Sequence, residues 1–240
     1  LPVPPLMKPL LVLAAFPVVL MGWASCSHSG TGHAALPDPR AVDKSVPEYK
    51  NPFHPSTYAH FVARKDYRKT YDVYKDDTLL NRQPKKSRKI FVCLDEQRGQ
   101  YLVDGLVAMD FPLSSGVKAY PTKTGDYAVI SKKEDHTSNL YGKMYDAEGK
   151  CINYNAESTD PIPEGGRFDG SPMPYWQRLT NAGLGLHVGK VRRHPVSHGC
   201  VRLPRNVAEI LYRQTSIGTP VTIRKTPLPV PEAQKVPAVQ

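Results

Sequence analysis

The amino-acid sequence predicts a mainly β domain, barrel-like or sandwich, with one short helix after Cys200. Three observations predict it. Between residues 89 and 130, four short runs rich in β-formers follow one another, split by Gly99, Asp104-Gly105 and Gly116 or Gly125. Asp104-Gly105 between two apolar runs is a hairpin signal, because both turn positions need positive φ. Helical spacing is confined to one stretch before this region and one after Pro204.

The 240 residues are 40% hydrophobic and 22% charged, which supplies a core and excludes a wholly disordered chain. Four cysteines are too few for a disulfide-built mini-fold, and no internal repeat suggests a solenoid. The 24 prolines gather near the two ends and predict extended flanks.

Taken in order, the chain starts with an address. Met7-Lys8 precedes an apolar run from Pro9 to Met21, shorter than the ~20 residues of a spanning helix and fitting a signal peptide. Two processing routes are open. Gly22 and Ala24 suit cleavage before Ser25, while Ala24-Ser25-Cys26 looks like the end of a lipobox with Cys26 as the lipidated residue. The second is preferred, although Trp23 stands where an aliphatic residue is usual. Either route exports the chain to the cell envelope, and lipidation at Cys26 would anchor it to the membrane.

Residues 1–26 are thus read as signal peptide and lipobox, and 27–87 as linker and N-terminal extension. Within the extension, Ser56 as cap and Tyr58, Phe61 and Val62 at helical spacing predict a helix. Strands are predicted at 90–94, 100–103, 106–113 and 126–130. Residues 144–172 break the rhythm and are too long for a routine connection, either a lid or a surface insertion. A strand at 183–188 carries His187 near its end. After Pro204, Asn206 as cap and Val207, Ile210 and Leu211 as stripe predict a helix stopped by Gly218, and 220–224 a last strand. The main domain is read as 88–225, and 226–240 as a disordered tail.

The net charge of +10 suits an anionic polymer or a solvated basic surface. The cations are scattered in short groups such as Lys85-Lys86-Ser87-Arg88-Lys89, with no basic helix face and no aromatic RNA-binding signature, so no nucleic-acid partner is expected.

The candidate chemistry centres on Ser197-His198-Gly199-Cys200-Val201-Arg202. A thiolate is the reactive form of cysteine, and neighbouring cations and a helix N-terminus favour it. Gly199 lets the backbone turn and expose amides as an oxyanion hole. His187, held on a strand, is the candidate base. The bland readings are an inert buried Cys200 and a satisfied core His187. His187, His194, His198 and Cys200 are soft ligands, but no C-x-x-C spacing accompanies them, and neither metal nor cofactor is expected. Cys93, within a strand, reads as a buried free thiol, with pairing to Cys151 as the alternative.

The hexapeptide, with His187 thirteen residues before Cys200, resembles the active-site signature of the L,D-transpeptidase (YkuD-like) catalytic domain. Phe111-Pro112-Leu113-Ser114-Ser115-Gly116, followed by Pro121-Thr122-Lys123-Thr124-Gly125-Asp126-Tyr127, is similar to the family's P-V-S-T-G … T-P-T-G-x-F run. Residues 171–179 are similar to the segment before its first histidine. The likeness covers residues 88–225. It implies a β-rich catalytic fold and peptidoglycan stem peptides as substrate. By this resemblance Cys200 forms a thioester with a tetrapeptide stem and passes the acyl group to an amine, and His187 is base and then acid. His198, Gly199, Ser197, Arg202 and Tyr175 shape the pocket and oxyanion hole or hold substrate. Val188 stands where many relatives have a small residue, so a backbone carbonyl is expected to orient His187. The acceptor stays open among a stem peptide, a protein lysine, a D-amino acid and water. Water would make the chain an L,D-carboxypeptidase or hydrolase. A non-catalytic wall-binding lipoprotein is the remaining alternative.

Overall fold

A computed structural model of the chain describes residues 35–83 and 87–237. The signal segment and Cys26 lie outside the described residues. In chain order the elements are α1 (Tyr58–Ala63), β1 (Tyr74–Lys75), α2 (Asp77–Leu80), β2 (Arg88–Cys93), β3 (Arg98–Val103), β4 (Leu106–Pro112), β5 (Gly125–Ala128), β6 (Ser131–Lys133), β7 (Thr137–Tyr145), β8 (Cys151–Glu157), β9 (Arg167–Pro172), β10 (Trp176–Arg178), β11 (Gly185–Val188), β12 (Val201–Leu203), α3 (Arg205–Gln214) and β13 (Pro220–Arg224). The architecture is mainly β, and among the described residues the strands form three open sheets with no barrel closure.

The largest sheet has the order β1-β4-β3-β2-β13-β5. Asp104 and Gly105 take φ of 50° and 79°, so the hairpin from Val103 to Leu106 turns as the residue pair requires. Ile90, Phe91, Val92 and Cys93 are successive buried residues, which means that this sheet is covered on both faces.

One core cluster packs Ile90, Val92, Tyr101 and Val103 with Val207, Ala208 and Leu211 of α3. Val207 and Leu211 stand four apart and face inward together. The helix begins two residues earlier than Asn206 would allow as its cap. Pro204 is the cap residue, with extended ψ and no side-chain bond, and Asn206 lies inside the first turn. The helix also stops at Gln214. Thr215 Oγ1 turns back to Leu211 O at 2.7 Å, and Gly218, at φ 89°, serves the turn into β13 instead.

The second cluster corrects the reading of both flanks. Phe53, Tyr58, Phe61, Val62 and Tyr67 pack with Val107 and Val230, so residues from 36 onward are no free linker and 226–237 no loose tail. Gln234 explains the docking of the tail: its amide bonds both the N–H and the C=O of Val107, each at 2.9 Å. At α1 the cap is Thr57, not Ser56. Thr57 Oγ1 accepts from His60 N at 3.2 Å, while Ser56 Oγ lies 2.8 Å from His54 Nδ1.

Beneath this cluster Arg98 and Asp110 are wholly buried and paired. The Asp110 carboxylate also accepts from the Tyr58 hydroxyl at 2.7 Å, the Tyr67 hydroxyl at 2.9 Å and Gln100 Nε2 at 3.2 Å. A buried charge needs such saturation to offset its lost hydration.

The stretch 144–172 is not irregular. It carries the end of β7 and the whole of β8 and β9, which flank β7 in an antiparallel sheet. Four consecutive residues of β8 are exposed, so no inward-outward alternation marks it in the sequence. The last sheet, β12-β11-β10-β6, carries the candidate site. Cys93 and Cys151 are free thiols. Cys93 is buried, donates to Lys225 O at 3.0 Å, and is pushed up to about 11 by desolvation.

Candidate active site

β11 and β12 pair in parallel, with Leu186 against Val201, His187 against Arg202 and Val188 against Leu203. Residues paired in this way face the same side of a sheet. Cys200 immediately precedes β12, two residues before Arg202, and so joins His187 on that side. His187, Cys200 and Arg202 line one cavity of about 540 Å³, together with Trp176, His136 and Tyr141.

His187 is buried, and its Nδ1 lies 2.8 Å from Val188 O. A carbonyl only accepts, so Nδ1 carries the proton and Nε2 keeps its lone pair. Desolvation lowers the ring to about 4; the Val188 bond opposes this, and Arg202 and His136 add to it. At neutral pH the imidazole is uncharged.

Cys200 Sγ lies 3.3 Å from Gly183 O, to which the thiol donates. Burial pushes it up, against a smaller lowering by the Gly185 amide, Arg202 and Arg178. The expectation of a thiolate favoured by a helix N-terminus is therefore corrected. β12 intervenes between Cys200 and α3, and desolvation outweighs the nearby cations. The resting pair is thiol and neutral imidazole.

The turn that carries Cys200 is held tightly. Gly199 has φ 111°, open to glycine and strained for other residues. A Cβ on Gly116 would lie 2.8 Å from Gly199 Cα and 2.1 Å from Tyr120 O, so the Ser115-Gly116 segment packs directly beneath the turn. Thr122 Oγ1 donates to Gly199 O at 2.6 Å and accepts from Gly116 N at 2.8 Å. Ser197 is buried, and its hydroxyl donates to Cys200 O while accepting from Gly199 N. It lines the cavity with its polar group spent inside the turn.

His198 is exposed and sandwiched, 4.4 Å from Tyr141 and 4.8 Å from Tyr120 between ring centroids. Arg202 is partly buried along Gly189, whose missing side chain makes room for its stem. Tyr175 is not brought to the cavity. Its φ of 56° turns the chain there, and its ring packs on Tyr212 of α3 at 5.6 Å. The next residue, Trp176, lines the cavity in its place and stacks on His136 at 5.1 Å.

Trp176, His136, Tyr141 and Tyr120 were missed by motif reading. They come from three separate segments that only the fold brings together. His194 and His198 stand four apart, yet among the described residues no group of three or more His, Cys, Asp or Glu side chains converges as a metal site would require.

The model of the L,D-transpeptidase catalytic domain, YkuD, matches residues 87–223, more than half of the chain. The chain belongs to this family. A curated relative, a probable L,D-transpeptidase 3 of Mycobacterium tuberculosis, is 31% identical over 121 residues, covering 48% of this chain and 38% of that protein. The chain thus spans well under half of that relative's length. Among solved structures, an L,D-transpeptidase from Mycobacterium smegmatis is 21% identical, with 57% and 58% of the two chains covered and a TM-score of 0.44. One from Stackebrandtia nassauensis is 22% identical, with 69% and 65% covered and a TM-score of 0.43. The matched segment of this L,D-transpeptidase family member contains every described cavity residue named above.

Proposed function

We propose that the chain is a cysteine-dependent peptidoglycan L,D-transpeptidase, exported and held at the membrane through Cys26. The observation that carries this reading is the neutral pair of His187 and Cys200 in one cavity, with His187 Nδ1 committed to Val188 O and Nε2 left as acceptor. In the proposed reaction Nε2 takes the thiol proton as Sγ attacks the carbonyl carbon of the third residue of a tetrapeptide stem. The bond to the terminal D-Ala nitrogen breaks, the proton passes to that nitrogen, and a thioester remains. An acceptor amine then attacks the thioester, loses its proton to Nε2, and the sulfur departs and regains a proton. The Cys200 amide meets the oxyanion, because Gly199 N–H is engaged by Ser197 Oγ at 3.2 Å. Lys123, Arg178 and Arg202 line the cavity and suit the carboxylates of a stem peptide.

The test is incubation of the full chain with tetrapeptide muropeptides, followed by mass analysis of products and of the protein. The expected outcome is release of D-Ala, a cross-linked dimer, and an acyl adduct on Cys200 that Cys200→Ala abolishes. Full turnover by that variant would end the mechanism, and tripeptide without dimer would make water the acceptor. For the anchor, Cys26→Ser should release the protein into the soluble exported fraction. A wild type already soluble after export would instead place cleavage before Ser25.

A further inference from the structure

The connection between His187 and Cys200 is tied to a part of the chain that precedes the family match. The match begins at residue 87, whereas Tyr67 and Thr70 belong to the N-terminal extension. Midway along the connection stands Arg193. Its Nη1 donates to Thr70 O at 2.6 Å and Tyr67 O at 3.3 Å, and its Nη2 donates to Glu96 O at 3.0 Å. To reach them its own backbone takes φ 56°, in the left-handed region that bulky residues rarely adopt.

What Arg193 grips is itself anchored. Arg98 donates to Thr70 O at 3.2 Å and to Asp72 O at 2.9 Å. The Tyr67 hydroxyl reaches Asp110 at 2.9 Å, and Arg40 pairs with Glu96 at 2.7 Å. On its other side the connection runs straight into the turn that carries Cys200. There the amides of Val196 and Ser197 donate to Ser115 O at 2.8 and 3.1 Å.

We infer that Arg193 is a positioning residue, and that residues 67–72 of the N-terminal extension are a working part of the catalytic unit because they supply the carbonyls it clamps. The inference rests on the proposed roles of Cys200 and His187. An irregular connection is the most mobile kind of backbone, and it joins the nucleophile to the base. A planar guanidinium can hold three carbonyls from two segments at once, which a lysine ammonium cannot match in geometry. Displacement of reacting groups by about 1 Å costs up to about a hundredfold in rate, so loosening this tie should appear in kcat.

The test uses the full chain with Arg193→Lys and Arg193→Ala. Turnover of tetrapeptide muropeptides is measured beside hydrogen exchange resolved to peptides. The expected result is a kcat lowered by about 10- to 100-fold in Arg193→Ala, with Arg193→Lys in between and KM within about twofold of wild type. Amide exchange across 194–200 should accelerate by about tenfold or more in both variants, while β2, β3 and α3 keep wild-type protection. Folded variants with wild-type kcat would overturn the inference. So would exchange raised evenly throughout the chain, which is the mark of a merely structural residue. If Arg193→Ala does not fold, Arg193→Lys decides by the same readouts. A wild type inert toward muropeptides would sink the proposed function alone, since unchanged exchange at 194–200 overturns the clamp whether or not there is turnover.

Discussion

His187 makes the fold sensitive to acid, and the size of the effect follows from its burial. The ring is held at about 4 in the folded protein, against 6.5 for a free histidine. The unfolded chain therefore takes up a proton below pH 6.5, and the folded chain does so only near pH 4. Stability from this residue is complete above pH 6.5 and drains as the pH falls through that window. Linkage puts the loss at about 2 kcal/mol by pH 5 and about 3 kcal/mol by pH 4. The perturbation that isolates it is His187→Asn, whose amide keeps a donor toward Val188 O but does not titrate. Unfolding free energies from denaturant titration at pH 7, 5 and 4 should fall more steeply for wild type than for the variant by those amounts. Carboxylates titrate in both proteins and cancel in the difference. Parallel pH dependence in the two proteins would refute a buried, neutral His187.

Three further outcomes follow from the same geometry. His187→Ala should lose acylation by about 10²–10⁴-fold and regain part of it at high pH, where thiolate forms without a base; His198→Ala should lose about tenfold with little such rescue, because its ring, stacked between Tyr141 and Tyr120, shapes the cavity wall and takes no proton. Single-turnover acylation across pH 6–10 distinguishes them. Gly116→Ala places a methyl 2.1 Å from Tyr120 O and should cost about 1–3 kcal/mol or more in thermal unfolding, with acylation impaired as the Gly199 turn shifts. Asp110→Ala strands the buried Arg98 charge and should cost about 3–5 kcal/mol, read from denaturant midpoints, although Asp110 does not line the cavity.

Among the site residues, the contiguous ones were legible in the sequence. Ser197 to Arg202 form one motif, and His187 on its strand was readable as the partner; the family match includes both. The carbonyl expected to orient His187 is the one its Nδ1 meets, that of Val188. Tyr175 was misplaced by one residue of chain, because a backbone turn at φ 56° sends its ring to Tyr212 and leaves Trp176 in the cavity. Tyr141 was hidden in a stretch that bears no strand pattern, and its stacking on His198 joins positions far apart in the chain.

The sequence by itself determined what depends on neighbours along the chain. The Asp104-Gly105 hairpin, the apolar stripe of α3 and the buried run of β2 each follow from residues within a few positions of one another. Only the tertiary structure decided that the flanks from residue 36 and up to 237 pack onto the domain, and that 151–172 supplies strands beside the cavity. It also decided that Cys200 rests as a partly buried, protonated thiol. The physical reason is common to all three. A turn or a helix stripe is selected by local backbone sterics and periodicity, whereas docking, edge pairing and desolvation depend on which distant groups exclude water from a given atom.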